Sequence, residues 1–105
     1  MSEAAFVPAI AVDAVAPGKA VKVTVAGREI LVCNSQDRLF AVENKCSHAD
    51  EPLECGRIRN GWIACPAHGA RFDLDSGEAM NPPAKDPIVT FTVRVADGMI
   101  EIAIG

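Results

Sequence analysis

The chain has 105 residues, half of them hydrophobic, and its 14 acidic and 10 basic side chains give a formal net charge of −4. This length suits one domain over residues 1–105, with enough apolar side chains for a core. No basic stripe is interleaved with aromatic residues, so nucleic acid is not expected as a partner. The first five residues lack the basic segment of a secretory signal, and no apolar run approaches the ~18 residues of a membrane span. We therefore expect a cytoplasmic protein without a membrane segment.

The N-terminal half predicts short strands joined by turns. Val21, Val23 and Val25 alternate with small or polar residues, which is the period of a strand with one buried face. Turn-forming residues then separate further segments rich in β-branched side chains. The predicted order is a strand at 20–25, a turn at 26–27, a strand at 28–33, a polar turn at 34–37 and a strand at 39–42.

A hairpin is the strongest local pattern at the C-terminal end. Residues 89–95 alternate apolar and polar side chains, Asp97-Gly98 predicts a turn, and residues 99–104 predict the returning strand. No window shows a convincing 3.6-residue apolar period. The clearest helix candidate, residues 9–15, is short and ends at Pro17-Gly18. These patterns predict an all-β fold.

Residues 44–87 differ from both flanks. They contain three of the four cysteines, both histidines, five prolines and four glycines. So many residues that interrupt regular structure predict loops held together by something other than strand pairing. A disulfide framework would need a secreted protein, whereas a metal centre would anchor such loops in any compartment.

Two short motifs combine thiol and imidazole side chains. They are Cys46-Ser47-His48 and Cys65-Pro66-Ala67-His68, separated by 16 residues. Two loops can therefore supply four ligands to one site. Thiolate and imidazole suit zinc, copper and iron-sulfur centres, so the ligand types alone do not choose the metal.

The paired motifs resemble the cluster-binding boxes of the Rieske ferredoxins that serve bacterial ring-hydroxylating dioxygenases. The resemblance spans nearly the whole chain and extends to residues around the boxes, namely Gly61-Trp62-Ile63-Ala64, Gly69, Phe72, Gly77 and Asn81-Pro82-Pro83. It implies an all-β, Rieske-type antiparallel β-sandwich base with a small cluster-binding lobe at approximately residues 44–83.

The resemblance also implies a cofactor and a function. One Rieske-type 2Fe-2S cluster would have Cys46 and Cys65 on one iron and His48 and His68 on the other. The protein would be an electron-transfer component and not an enzyme. It would carry single electrons from a flavin-dependent NAD(P)H ferredoxin reductase, a flavoprotein, to a terminal aromatic-ring-hydroxylating Rieske dioxygenase. A monomer suits a carrier that must shuttle between two partners.

Three other functions stay open. A structural zinc-binding interaction module would use the same ligands and be colourless. A Rieske-like small subunit of a nitrite reductase is possible, although such subunits often lack the ligands present here. A redox sensor would need a regulated partner, about which the sequence says nothing.

Two further sets of residues lie outside the ligand motifs. Cys33 and Cys55 are predicted to be ordinary packing residues, because free cysteine often behaves as a small apolar group. Asp50, Glu51 and Glu54 predict an acidic collar beside the first box, for docking the reductase.

The reduction potential is expected near the low end of the Rieske range. In high-potential members of the family a disulfide and a serine hydroxyl lie beside the cluster, and here their places hold Glu51, Ala67 and Ala70. Hydrogen bonds to the sulfurs stabilise the reduced cluster, so their absence lowers the potential. We expect a midpoint of roughly −150 mV in a redox titration. A midpoint well above zero would contradict this expectation.

Overall fold

The structure is a computed structural model, and it describes residues 5–46, 52–54, 56–66, 69–80 and 86–104. Its strands pair antiparallel in three sheets. The strands are β1 (Ala5–Ala11), β2 (Ala20–Val25), β3 (Arg28–Ser35), β4 (Arg38–Glu43), β5 (Arg57–Arg59), β6 (Trp62–Ala64), β7 (Arg71–Asp73), β8 (Thr90–Phe91), β9 (Val93–Ala96) and β10 (Met99–Ile104), with a 3₁₀ helix at Val12–Ala14. In the described part of the chain, no helix has the length and apolar character that crossing a membrane requires.

Two sheets form the base. One has the strand order β1-β10-β9 and the other the order β2-β3-β4-β8. Between them lies a core in which Ile30 and Val32 of β3 share a cluster with Ile100 and Ile102 of β10. All four side chains are fully buried. The predicted antiparallel sandwich is confirmed.

Strand β3 is buried on both of its faces. Side chains alternate along a strand, so Leu31 and Cys33 point away from the base core and join a second cluster that contains Ile63 and Phe72. These two residues belong to β6 and β7, which form a third sheet with β5 in the order β5-β6-β7. We call this third sheet the lobe sheet. The continuous apolar run of β3 is therefore explained by packing on two sides.

Hydrogen bonds tie the lobe sheet to the base. In the turn between β5 and β6, the backbone N–H of Gly61 donates a hydrogen bond to the hydroxyl oxygen of Ser35, at 2.9 Å. Beside it, Asn34 donates from its side-chain amide to the carbonyl oxygen of Val15, also at 2.9 Å. Residues 34 and 35 had been predicted as a turn, but both belong to β3 and are buried. Their polar side chains form hydrogen bonds inside the protein. The sequence shows only that these residues are polar, and this does not tell whether they are buried or exposed to solvent.

Two further expectations need correction. Within the helix candidate at 9–15, only Val12–Ala14 are helical, as a short 3₁₀ helix, whereas the residues up to Ala11 continue β1, because β10 offers a partner and pairs Ile10 with Ile100. The lobe was expected to lack regular strand pairing, yet its three short strands pair in register.

The strands predicted at 20–25 and 99–104 are confirmed with the same ends, and those predicted at 28–33 and 39–42 are confirmed with ends shifted by one or two residues. The segment predicted as one strand at 89–95 is two strands separated at Thr92. It pairs first with β4 through β8 and then with β10 through β9, so the chain passes from one base sheet to the other.

Gly77 lies in the turn that follows β7 and adopts a left-handed conformation that favours glycine. Its φ is +80°, and a Cβ at this position would overlap the carbonyl oxygen of Ile88. Gly18 has nearly the same φ, +81°, but open space around it. The two glycines therefore share a conformational requirement and differ in steric restriction.

We predict that Gly77→Ala destabilises the protein by about 1–3 kcal/mol more than Gly18→Ala, because only the first substitution adds an overlap to the strained φ. That difference lowers the melting temperature of G77A by about 4 °C or more below that of G18A, as followed by circular dichroism. Equal melting temperatures would show that the contact with Ile88 relaxes without cost.

Candidate metal centre

Asn44 fixes the chain that leads into the first box to the base. This buried residue lies two positions before Cys46, and its side-chain oxygen accepts a hydrogen bond from the backbone N–H of Leu53 at 2.9 Å. Its own backbone N–H donates to the carbonyl oxygen of Glu29 at 3.1 Å. The chain that leaves β4 and the chain that returns at Leu53 are thereby joined through one amide side chain.

Gly56 brings the first loop into contact with the strand that leads to the second box. The backbone N–H of Gly56 donates to the carbonyl oxygen of Leu53 at 2.7 Å, which closes a tight turn. A Cβ at Gly56 would overlap the carbonyl oxygen of Ala64, and Ala64 directly precedes Cys65. Any larger residue at position 56 would therefore separate the two loops.

The second box begins in a tightly closed loop. The backbone N–H of Cys65 donates to the carbonyl oxygen of Ala70 at 2.7 Å, and the N–H of Gly69 donates to the carbonyl oxygen of Cys65 at 2.9 Å. Gly69 adopts a φ of +72°, which the reversal of the chain requires. Cys65 and Ala70 are buried at the base of this loop, whereas Pro66 is exposed.

Both candidate thiol ligands lie in the core between the base and the lobe. Cys46 is 0% exposed and Cys65 1% exposed, and they share one cluster of buried residues. Neither forms a disulfide, nor does Cys33. The other two predicted ligands, His48 and His68, lie outside the described residues, as does Cys55. The described donor set, two buried thiols on adjoining loops, fits the cysteine half of a mixed cysteine and histidine site.

Cys33 differs from the two candidate ligands. It lies within β3, and burial raises the pKa of its thiol to about 12. A thiol must lose its proton to bind a metal, so this side chain is suited to packing and not to ligation. The structure places Cys33 as the strand pattern predicts.

The predicted acidic collar is only partly visible. Asp50 and Glu51 lie outside the described residues, and Glu54 is described. The Glu54 carboxylate lies 3.9 Å from the ammonium group of Lys22 and 3.4 Å from the amide nitrogen of Asn44. Neighbouring groups therefore partly offset its charge, so Glu54 is a weaker docking charge than the sequence indicates.

A comparison with protein families bears directly on this arrangement. The model of the Rieske [2Fe-2S] domain matches residues 5–92. The chain belongs to this family. A Rieske domain carries a 2Fe-2S cluster, so the expected cofactor and the expected family are both confirmed.

Relatives of this Rieske protein are electron-transfer components. The ferredoxin subunit of anthranilate 1,2-dioxygenase from Burkholderia cepacia is 33% identical over 82 residues, which cover 77% of this chain and 76% of that protein. The ferredoxin of carbazole 1,9a-dioxygenase from Nocardioides aromaticivorans IC177 has a TM-score of 0.88 at 31% identity, over 93% of this chain and 96% of that one. The chain is accordingly a ferredoxin-type electron carrier and not a catalytic subunit.

Two further solved structures bear on partners and alternatives. A complex of reduced oxygenase and oxidised ferredoxin in carbazole 1,9a-dioxygenase matches with a TM-score of 0.87 at 26% identity, over 96% of this chain and 94% of that one. A protein described as a nitrite reductase small subunit has a TM-score of 0.84 at 19% identity, over 95% of this chain and 99% of that one, and this likeness shows the fold alone.

Sequence reasoning missed the two residues that assemble the described part of the site. Gly56 was counted as one of several breakers, and its close approach to Ala64 joins segments that no local pattern relates. Asn44 has a polar side chain in a loop, which is ordinary in any sequence, and its role appears only when Leu53 is adjacent. Neither residue carries a sequence signal that identifies it in advance.

We predict that Asn44→Ala loosens the first loop and speeds loss of the cluster. The buried N–H of Leu53 would lose its acceptor, at a cost of about 1–3 kcal/mol. The decay of visible absorbance on warming under nitrogen measures the effect. Gln36→Ala is the matched control, because it removes an exposed amide hydrogen bond, from Gln36 to the side-chain oxygen of Asn60. Equal decay rates in N44A and Q36A would contradict the role assigned to Asn44.

Proposed function

We propose that this Rieske ferredoxin passes single electrons from a flavin-dependent NAD(P)H ferredoxin reductase to a terminal aromatic-ring-hydroxylating dioxygenase. The observation that supports this most directly is the pair of buried thiols on adjoining loops, in a chain related to ferredoxin components of dioxygenase systems. Part of the proposal is a single domain over residues 1–105, with a cluster-binding lobe at approximately residues 44–83.

The proposed ligands are Cys46 and Cys65 for one iron and His48 and His68 for the other. The cluster, when bound, supplies one-electron redox chemistry. The chain positions the thiols through Asn44 and the closed loop at Cys65, and it keeps water from them by burying both. Because solvent exposure and hydrogen bonds tune the potential of such centres, these contacts set how readily the electron is accepted and released.

The proposed partners follow from the relatives. A solved complex pairs a related ferredoxin with its oxygenase, and we propose the equivalent partner here. The flavoprotein reductase, the monomeric state and the cytoplasmic location belong to the same proposal. They suit a small carrier that binds its two partners in turn, since a rapid exchange of partners favours limited interfaces.

Cysteine variants test the ligand set. We expect Cys46→Ala and Cys65→Ala to abolish bound iron, acid-labile sulfide and visible colour. Cys33→Ala is the matched control, a buried thiol of the same core cluster outside the motifs, and we expect it to keep all three. Iron and sulfide assays on protein purified without air provide the measurement. Loss of iron in C33A, or its retention in C46A and C65A, would contradict the assignment.

Histidine variants test the mixed ligation. We expect His48→Cys combined with His68→Cys to lower the reduction potential, because thiolates add negative charge to the centre. The average g value in the electron paramagnetic resonance spectrum of dithionite-reduced protein should change as well. An unchanged spectrum would exclude His48 and His68 as ligands, and a colourless protein without iron would favour a zinc module.

Reconstitution tests the carrier role itself. NADH should reduce the purified terminal dioxygenase of the source organism when a flavoprotein ferredoxin reductase and the holoprotein are both present. Omission of the holoprotein should stop that reduction. If the oxygenase is reduced equally well without it, the proposed function is wrong.

A further inference from the structure

The lobe sheet has one buried face and one outward face. Ile63 and Phe72 point into the core and are fully buried, and Ile58 packs against the same cluster. Because side chains alternate along each strand, the residues on either side of these three point the other way. They form the arginine face, which consists of Arg57, Arg59, Trp62, Ala64, Arg71 and Asp73.

Register places the members of this face in two rows. Arg57 lies opposite Ala64, and Ala64 lies opposite Arg71 on the next strand. In the second row Arg59 lies opposite Trp62, whose other neighbour is Asp73. Residues that lie directly opposite each other in antiparallel strands share a face. Three arginines that are scattered in the sequence are thereby gathered around one tryptophan.

The arginine face is positively charged although the whole chain is acidic. All three arginines are exposed. The side chains of Arg57 and Arg59 make no ion pair or hydrogen bond with any residue that the structure describes. Asp73 is the acidic member, and its carboxylate accepts hydrogen bonds from the backbone N–H groups of Asp75 at 2.8 Å and Ser76 at 3.0 Å. That carboxylate is thus engaged in a turn.

Packing does not explain these arginines, because the opposite face of the sheet makes the contacts with the core. Gathering like charges on one small sheet is mildly unfavourable for folding. The guanidinium carbon of Arg71 lies 5.2 Å from the centre of the Trp62 ring, so the aromatic ring supports one of the cations. Arginine and tryptophan are enriched in protein interfaces, and arginine forms bidentate hydrogen bonds with carboxylates.

We propose that the arginine face binds an acidic patch on the terminal oxygenase to which the protein delivers its electron. This inference rests on the proposed function and deepens it by naming the docking surface. Ala64 in the first row directly precedes Cys65, and Arg71 directly follows Ala70, which accepts the hydrogen bond of the Cys65 N–H. A partner bound to this face therefore lies next to the candidate metal centre, where electron transfer requires it.

Charge complementarity favours a protein partner over nucleic acid. Stacking on Trp62 with arginines beside it also suits a single-stranded nucleic acid. The net charge of −4 opposes a polyanion that tracks over a larger surface, whereas a local acidic patch on a protein needs only the arginine face. Nucleic acid is therefore an outcome that the test must separate from the proposal.

The test measures electron transfer to the purified terminal dioxygenase of the source organism. Dithionite-reduced holoprotein is mixed with the oxidised oxygenase in a stopped-flow instrument at low and at high salt. Arg57→Glu combined with Arg59→Glu should lower the second-order rate constant at low salt by about tenfold or more. Salt screens exposed charges, so the difference between the variant and the wild type should shrink at high salt.

The matched control is Lys19→Glu combined with Arg38→Glu, which changes the net charge by the same amount. Both residues are exposed on the base near the end of β3, where Arg38 lies opposite Ser35 and the carbonyl oxygen of Lys19 accepts the N–H of Asn34. This control should react within about twofold of the wild type, because steering depends on local charge more than on net charge. Arg57→Lys combined with Arg59→Lys should keep most of the rate, since it keeps the charge.

Three results would overturn the docking surface. The first is a wild-type rate for R57E/R59E at low salt, and the second is equal slowing in K19E/R38E. The third has two parts: the wild type binds a single-stranded DNA oligonucleotide in a salt-dependent manner, and R57E/R59E loses this binding but still transfers electrons to the oxygenase at the wild-type rate. An unaltered visible spectrum in every variant shows that the cluster is intact. Failure of the wild type itself to reduce the oxygenase would instead refute the proposed function.

Discussion

The described part of the candidate metal centre depends on one backbone contact. Gly56 lies so close to the carbonyl oxygen of Ala64 that a side chain at this position would overlap it. The contact joins the loop that follows the first box to the strand that enters the second. The two cysteines, which are separated by 18 intervening residues, share one buried cluster. Metal sites depend on residues behind the ligands that hold them in place, and here a glycine has that role.

Strand β3 provides the second constraint, because it serves two cores. Ile30 and Val32 pack toward the sandwich, and Leu31 and Cys33 pack toward the lobe. Ser35 at its end accepts a hydrogen bond from the lobe turn. The base thus provides the surface against which the lobe packs. A close-packed interior transmits displacement, so the geometry of the cluster loops is coupled to the base through this strand.

Charge is distributed unevenly over the molecule, and that pattern relates the fold to function. The acidic residue described beside the first box, Glu54, is near Lys22, whereas the lobe sheet presents Arg57 and Arg59 to solvent. If the carrier meets two partners in turn, as proposed above, it benefits from surfaces of different character, since electrostatic complementarity governs association rates and choice of partner more than affinity. The net charge of the chain conceals this division.

The sequence by itself determined the all-β fold and four of the principal strands through local alternation, and it determined the family and the cofactor through the resemblance of its two motifs and their surroundings to the Rieske ferredoxins. It also predicted the four ligands, of which the structure describes Cys46 and Cys65 in one cluster. Only the tertiary structure decided the strand pairing of residues 5–11, the contact at Gly56 and the arginine face. Each of these joins residues that are far apart along the chain or on separate strands, and local patterns carry no information about such pairs.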